Sequence, residues 1–323
     1  MNLLFNDNGP VNLKARVEAL FDDQLKNWDL ARENYRGLQK VVTKSLSFTA
    51  QLQLRVQFNP ERIYSTSAKV DSASISARPC FLCPAHLPEQ QKAIPFGDEY
   101  LLLVNPFPIF QRHLTIPVRQ HTPQLLQGRF NDMLRLAKEL EDFVVFYNGP
   151  RCGASAPDHF HFQAGNKGFM PIEQDVDKWP KTALISEYGF QVFALNDYLR
   201  HVLIFVGHDP AWLEMQAQKA IGLLSTFEPD QSEPMMNILA SWDQDHWSIY
   251  LFPRKAHRPL QFFAQGDEKI MFSPASVDLG GALILPRQED FDKIDLHSSR
   301  DMLSQVTLEK EKWEMLKNSF IKN

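Results

Sequence analysis

The sequence has little cysteine, no long hydrophobic run and no excess of positive charge. Its three cysteines, Cys80, Cys83 and Cys152, are too few for a disulfide scaffold and indicate a reducing, cytoplasmic protein. No uninterrupted apolar run reaches roughly 18 residues and no basic, apolar leader is present, so neither a membrane span nor a signal peptide is expected. The net charge of -5 argues against a general nucleic-acid binder but allows a small anionic substrate.

The composition is that of an ordinary globular chain. With 323 residues, 44% hydrophobic and 23% charged, it can bury a sizeable core and form about two domains or two similar halves. Short apolar or alternating runs outnumber helical patterns, which favours an α+β fold with antiparallel sheets and flanking helices. A segment rich in Gly, Pro and charge at 165–183 resembles a connector, so we predict an N-terminal half at 1–175 and a C-terminal half at 176–323.

The chemistry-bearing pattern is a strictly alternating run at 158–164. Because successive side chains of a strand point to opposite faces, His159, His161 and Gln163 share one face. Phe160 and Phe162 share the other and anchor the strand in a core. A neutral imidazole can attack phosphorus directly, and an amide can donate a hydrogen bond to a phosphoryl oxygen. A merely solvent-facing strand would give the same alternation, so the pattern alone leaves both interpretations open.

The turn before this strand fits a phosphate-binding role. It runs from Asn148 to Ser155 and contains small residues, an arginine, and backbone N–H groups around Gly153 that can approach phosphate oxygens closely. We interpret Cys152 in this turn as a small structural residue, because nothing around it suggests a nucleophile.

Cys80 and Cys83 have the two-residue gap that lets two thiolates bind one tetrahedral zinc. The spacing leaves the other ligands open. Buried free cysteines and a redox dithiol are the alternatives, and no clear helix follows the pair to support the redox interpretation. The histidines available to complete a zinc site are His86, His113, His121 and His159.

Basic residues elsewhere could contact a phosphate. The run Arg254-Lys255-Ala256-His257-Arg258 follows a predicted strand, and Arg112 and Arg119 bracket the strand at 113–118. We take Arg119 and Arg254 as candidate phosphate contacts. Solvated loops with the same composition are the alternative.

His159-Phe160-His161-Phe162-Gln163 resembles the His-x-His-x-Gln signature of the transferase branch of the histidine-triad superfamily. That branch includes galactose-1-phosphate uridylyltransferase, diadenosine tetraphosphate phosphorylase and the GDP-hexose phosphorylases. The similarity covers most of the chain in order. Further resembling segments are 28–53, 101–108, 112–117, 199–207, 236–240 and 272–291.

The resemblance implies a role for each matching residue. His161 would be the nucleophile that carries a covalent nucleotidyl group, Gln163 would hydrogen-bond the phosphoryl oxygens, and the turn with Asn148, Gly153 and Ser155 would bind phosphate. The positions that match the uridylyltransferase zinc ligands are Cys80, Cys83, His121 and His159, which leaves His86 as a spare. Gly280-Gly281 stands where the GDP-hexose phosphorylases have Gly-His.

The resemblance therefore implies a nucleotidyltransferase or phosphorylase with a structural zinc. Its substrate would be a nucleoside diphosphate sugar or a dinucleoside polyphosphate, and its acceptor a phosphate or sugar phosphate. A hydrolase of the same superfamily is one alternative, although such enzymes usually have His where Gln163 stands. A non-catalytic zinc- or nucleotide-binding protein is another. Homodimers are common in the resembling families.

Overall fold

The computed structural model describes residues 3–5, 12–49, 52–60, 74–75 and 77–321. Within these residues the chain forms ten α-helices and thirteen strands, which bears out the α+β prediction. None of the helices within these ranges is long and apolar enough to cross a membrane.

The helices and strands are numbered in chain order. The helices are α1 (Leu13–Asn27), α2 (Asp29–Gly37), α3 (Phe130–Glu139), α4 (Ile172–Lys178), α5 (Pro210–Thr226), α6 (Leu260–Phe263), α7 (Ser276–Leu279), α8 (Gln288–Lys293), α9 (Leu296–Val306) and α10 (Lys310–Ile321). The strands are β1 (Val42–Ser47), β2 (Gln53–Phe58), β3 (Ala93–Phe96), β4 (Tyr100–Val104), β5 (His113–Pro117), β6 (Phe143–Asn148), β7 (His161–Asn166), β8 (Lys181–Glu187), β9 (Phe190–Leu195), β10 (Leu203–Gly207), β11 (Met236–Asp243), β12 (His246–Pro253) and β13 (Ala282–Leu285).

One ten-stranded antiparallel sheet runs through the molecule in the order β3-β4-β5-β7-β6-β11-β12-β10-β9-β8. Its first five strands precede residue 167 and its last five follow residue 180, so each half of the chain supplies one half of the sheet. Counted inward from the outer edge of the sheet, the strands of the first half are β3-β4-β5-β7-β6 and those of the second half are β8-β9-β10-β12-β11. In both halves the last two strands in the chain have exchanged places in the same way. The halves meet where β6 pairs with β11, with Phe146 opposite Leu239.

This repeat places two sequence segments at equivalent positions. Gln163 on β7 lies opposite Phe146, and Tyr250 on β12 lies opposite Leu239. Since side chains two apart share a face, Ser248 in the second half occupies the position that His161 occupies in the first. The repeated half therefore has a hydroxyl where the first half has an imidazole.

A second, three-stranded sheet joins segments from the N-terminal and C-terminal parts of the chain. β2 pairs antiparallel with β1 and parallel with β13, so that Arg55 lies opposite Ala282. The parallel pairing departs from the expectation of antiparallel sheets alone, and it connects residues more than 220 positions apart. Side chains of this small sheet, including Leu54 and Val56, pack into the same core as Phe146 and Leu239.

The large sheet separates two hydrophobic cores. Phe160 and Phe162 are fully buried in the core that also contains Leu20 and Met133, from α1 and α3. Burying such a side chain contributes about 1.5–3 kcal/mol. The predicted anchoring of the strand by its phenylalanines is thus observed, and it turns His161 and Gln163 to the opposite face of the sheet.

Candidate active site and thiol–imidazole cluster

A cavity of about 570 Å³ opens on the face of the sheet that carries His161 and Gln163. The N-terminal part of the chain, the 153–155 turn and the segments at 257–258 and 273–284 complete its wall. The cavity has an apolar part and a polar part. The apolar lining includes Trp28, Leu30, Phe81, Leu82, Leu87 and Leu103.

The hydrogen bonds of His161 determine which of its ring nitrogens is reactive. Nδ1 lies 2.8 Å from the carbonyl oxygen of His159. A carbonyl only accepts, so Nδ1 carries the hydrogen and Nε2 keeps its lone pair. The backbone N–H of His161 donates to Gln124 Oε1 at 2.8 Å, and its carbonyl accepts from Gln124 Nε2 at 3.0 Å. The strand is therefore fixed at the residue that presents the lone pair.

Burial keeps the His161 ring neutral. Its side chain is 2% exposed, and this burial lowers its pKa to about 4, against an opposing hydrogen bond to the His159 carbonyl. Because an imidazole is nucleophilic only when unprotonated, the ring is ready to attack at neutral pH.

The amide of Gln163 is oriented by its neighbour His113. His113 Nδ1 lies 3.2 Å from the backbone N–H of Ile109 and accepts its hydrogen bond, so Nε2 carries the ring hydrogen. That Nε2–H donates to Gln163 Oε1 at 2.9 Å. With its oxygen occupied, Gln163 lines the cavity with an NH₂ group available as a hydrogen-bond donor. His113 was considered in the sequence only as a possible zinc ligand.

The predicted phosphate-binding turn borders the cavity through Asn148, Gly153 and Ser155. Asn148 Oδ1 accepts from Asn237 Nδ2, Ser276 N and Ser276 Oγ at 2.7–2.9 Å. Its Nδ2 has no hydrogen-bond partner among the described residues. Gly153 has φ +95°, and a Cβ there would lie 2.6 Å from Ala275 Cβ, so only glycine fits this close approach.

Two predicted phosphate contacts do not reach the cavity. Arg119 is exposed, and its backbone N–H donates to Glu99 O at 2.7 Å. Arg254 is 1% exposed and donates to four carbonyls and to Asn237 Oδ1. A guanidinium with these partners braces the backbone, so the geometry gives neither residue contact with a ligand in the cavity.

The positively charged side chains that line the cavity are not those predicted as phosphate contacts from the sequence. Arg258 lines the cavity, four residues after Arg254, and donates from Nε to Ser273 Oγ at 2.9 Å. His257 beside it is kept neutral, since burial, with Arg258 and Arg254 nearby, lowers its pKa to about 3. Arg78 also lines the cavity and donates to Ser155 O at 3.2 Å. The basic run at 254–258 was the signal for Arg258 in the sequence. Which side chains of this run face the cavity depends on the fold.

Four side chains gather beside β7 with ligand atoms within 4.8 Å of one another: Cys80, Cys83, His121 and His159. This cluster could hold a metal ion. His159 donates from Nε2 to Val118 O at 2.8 Å, which leaves Nδ1 unprotonated, 3.2 Å from Cys80 Sγ. The spare candidate His86 instead directs Nδ1 to the Cys80 carbonyl at 3.0 Å and lies outside the cluster.

Three sulfur–nitrogen distances within the cluster suit a tetrahedral ion. His121 Nδ1 lies 3.3 Å from Cys83 Sγ, and His159 Nδ1 lies 3.5 Å from the same sulfur. Four ligands bonded to zinc at about 2.0–2.3 Å would be roughly 3.3–3.8 Å apart. His121 Nε2 faces Asp158 Oδ2 at 3.5 Å, which is the kind of carboxylate–histidine contact that orients metal ligands.

Comparisons with known proteins match both halves of the chain. Residues 20–166 match a domain of unknown function (DUF4922), and residues 175–323 match the GDPGP1-like, C-terminal domain. The crystal structure of yeast Ap4A phosphorylase Apa2 has a TM-score of 0.59 and 20% sequence identity, covering 92% of this chain and 94% of that one. The histidine-triad resemblance is confirmed. Over residues 175–323 the chain matches the GDPGP1-like family, and its overall fold is that of the yeast phosphorylase.

A second structure of the same yeast enzyme, in complex with Ap4A, has a TM-score of 0.58 and 18% identity, and covers 88% of this chain and 98% of that one. At this level of identity the similarity establishes the shared fold. No curated protein matches this sequence.

The chain has Gly281 where the resembling GDP-hexose phosphorylases have the histidine of Gly-His. The residue has φ +102°, and a Cβ there would lie 3.1 Å from Pro171 and 3.2 Å from Arg200 Nη2. A histidine at this position would be strained and crowded. Asp278 lines the cavity, but Oδ2 accepts from Ala275 N and Oδ1 from Ile284 N at 2.9 Å. Glycine at 281 therefore has a local structural reason where the resembling phosphorylases have Gly-His.

Proposed function

We propose that the protein is a nucleotidyltransferase of the phosphorylase type that works through a covalent nucleotidyl-His161 intermediate. The observation that carries this proposal is the hydrogen bond from His161 Nδ1 to the His159 carbonyl, which leaves Nε2 as an unprotonated nucleophile in a cavity large enough for a nucleotide. Ap4A phosphorylase activity of a protein with the same fold supports the reaction class.

In the first step, Nε2 of His161 attacks the α-phosphorus of a nucleoside diphosphate-linked substrate. The N–P bond forms as the bond to the leaving sugar phosphate or nucleotide breaks. No base is needed, because Nε2 carries no proton. The positive charge that develops on the ring is stabilised by the Nδ1–H bond to the His159 carbonyl. In the second step an incoming phosphate or sugar phosphate takes the nucleotidyl group and restores the neutral ring.

Fixed hydrogen-bond donors stabilise the negative charge that develops around the pentacoordinate phosphorus. Gln163 and Asn148 offer amide N–H groups whose oxygens are already held by other residues. Arg258 adds a cation at the cavity wall. Donors that are oriented before the reaction need no reorganisation as charge develops, and each typically contributes about 2.7–4 kcal/mol. Ser155 and Gly153 border the same space.

The apolar part of the cavity is suited to a nucleobase. Trp28, Phe81 and Leu82 are among its lining residues, and aromatic and aliphatic surfaces bind the flat faces of bases. We propose a nucleoside diphosphate sugar or a dinucleoside polyphosphate as substrate, with phosphate or a sugar phosphate as acceptor. The two halves meeting near residue 175 and a homodimeric state stay predictions.

We further propose that zinc binds at Cys80, Cys83, His121 and His159. The donor set of two thiols and two imidazoles, and the interatomic spacing, both fit this ion. With all four positions filled by protein, the metal would have a structural role and would fix the start of the catalytic strand through His159. Retention of both thiols in reduced form is consistent with a cytoplasmic location.

The deciding experiment traps the intermediate. Purified protein is incubated with α-³²P-labelled GDP-glucose, ADP-glucose and diadenosine tetraphosphate, each with and without phosphate. Label that stays on the protein through denaturation and is released by phosphate supports the transferase. Free nucleoside monophosphate without phosphate indicates a hydrolase, and neither product indicates a binding protein. His161→Ala should abolish labelling while the circular dichroism spectrum is unchanged; full turnover by this variant would refute the role of His161.

A further inference from the structure

A second cavity, of about 840 Å³, lies between α2, β2 and the end of β7. It is lined by Arg32, Arg36, Arg55 and Lys167, and no carboxylate is among its described lining residues. Such a concentration of positive charge stands out in a chain whose net charge is -5. A cavity lined by one sign of charge attracts ligands of the opposite sign.

Two of the four cations are not neutralised by ion pairs. Arg32 pairs with Asp29 at 2.5 Å and Arg36 with Glu33 at 2.9 Å, both on the exposed surface of α2. Arg55 instead donates from Nη1 to Phe169 O at 2.9 Å and lies over the ring of Phe169 at 5.2 Å. It has four further N–H donors and no ion pair within the described part of the chain.

Lys167 is the second cation without an ion pair within those residues. Its Nζ donates to the carbonyl oxygen of Trp242. The acid nearest along the chain, Glu173, accepts from the backbone N–H groups of Gly168 and Met170. Arg55 and Lys167 therefore both keep donors for a ligand.

Gln57 is a second, independent sign of a ligand. It is 3% exposed, lines this cavity, and forms no side-chain hydrogen bond with the described residues. Buried amides are nearly always hydrogen-bonded, so one without a protein partner that faces a cavity is suited to bind what enters it. Arg55 and Gln57 are two residues apart on β2, so a guanidinium and an amide face the cavity side by side.

We infer that this cavity binds a phosphate-bearing small molecule, through Arg55, Gln57 and Lys167. A guanidinium matches phosphate oxygens with parallel N–H donors, and the adjacent amide adds a neutral donor. The site is distinct from the catalytic one. His161 and Asn166 mark opposite ends of β7, roughly 16 Å apart at about 3.3 Å per residue, and Asn166 lines the second cavity.

The site nevertheless shares a wall with the catalytic cavity. Ile109 lines both cavities, and its N–H holds the His113 ring that orients Gln163. A ligand that moves Ile109 would therefore act on a catalytic donor, which places an effector within physical reach of the reaction.

The test is calorimetric titration with three probes: inorganic phosphate, glucose 1-phosphate and GMP. We expect at least one probe to bind the wild-type protein at a site that Arg55→Gln and Gln57→Glu weaken at least tenfold, while the exposed Arg135→Gln leaves it unchanged. Gln57→Glu keeps the shape of the side chain but repels an anion, and circular dichroism confirms folding. Binding of phosphate alone would identify the free ion as ligand, and binding of the organic phosphates only would identify those.

The location of this binding is checked by hydrogen exchange. Amides of α2 and of residues 166–169 should be protected by the bound probe, and Arg258→Gln, in the catalytic cavity, should leave that protection in place. Equal affinities in the wild-type protein and both β2 variants would overturn the inference, as would failure of all three probes to bind outside the catalytic cavity.

Discussion

Glu233 makes the stability of the fold depend on pH. Its Oε1 accepts from Leu126 N at 2.7 Å and its Oε2 from Tyr147 OH at 2.7 Å. The side chain is 7% exposed, and burial, which outweighs these hydrogen bonds and nearby Arg151, raises its pKa from 4.5 to about 7. Glu233→Gln keeps the shape of the side chain and removes the titration.

The sign and size of the pH effect on the free energy of unfolding follow from the difference between the pKa of Glu233 in the folded and in the unfolded chain. Between pH 4.5 and 7 the folded chain binds this proton more tightly than the unfolded chain, so the free energy of unfolding decreases as pH rises through this range. A difference of about 2.5 units corresponds to about 3 kcal/mol at 1.36 kcal/mol per unit. The stabilisation that comes from protonated Glu233 is complete below pH 4.5 and lost above pH 7.

The measurement is urea unfolding of the wild-type protein and Glu233→Gln at pH 4.5, 5.5, 6.5 and 7.5. Other titrating groups cancel in the difference between the two proteins. Relative to the wild type, the variant should gain about 3 kcal/mol of stability from the lowest to the highest pH, and the exposed Glu89→Gln serves as the matched control. A pH-independent difference for Glu233→Gln would refute the reasoning.

The remaining predictions concern the site and its support. His113→Leu should lower kcat by up to about 100-fold with little change in KM, because it releases the Gln163 donor, and His113→Gln, whose amide can donate, should recover part of it; steady-state kinetics decide. Cys80→Ser should lose most of the roughly one zinc per chain expected from a four-ligand site, whereas His86→Ala keeps it; metal analysis that finds equal zinc in both contradicts the assignment. Phe162→Ala should lower the free energy of urea unfolding by about 3–5 kcal/mol. Phe263→Ala, at a position that is 65% exposed, should lower it only slightly. Similar losses at both positions would argue against the anchoring role of Phe162.

Local patterns in the sequence predicted much of the site. The alternation over 159–163 predicted the two faces of this strand, and the structure has Phe160 and Phe162 in one core with His161 and Gln163 facing a cavity. The Cys-x-x-Cys spacing predicted a shared position for two thiols. Such short-range patterns follow from strand geometry and ligand spacing, which depend little on the rest of the chain.

Features set by long-range packing were not predictable in the same way. Arg254 and Arg258 belong to one basic run, yet the first is buried among carbonyls and the second lines the cavity. The orienting hydrogen bond between His113 and Gln163 joins residues 50 positions apart. The parallel pairing of β2 with β13 likewise depends on which segments the fold brings together, which no local period encodes.

The doubled strand order has a consequence for stoichiometry. Asp245-His246-Trp247-Ser248-Ile249-Tyr250 lies where the other half has Asp158 to Gln163, and a serine hydroxyl cannot replace the imidazole as a phosphoryl carrier without a base to activate it. Two equivalent halves would offer two candidate nucleophiles, but here the second half has the same strand order without an imidazole at the position of His161. Nucleotidyl loading should therefore saturate at one equivalent per polypeptide, however many copies assemble.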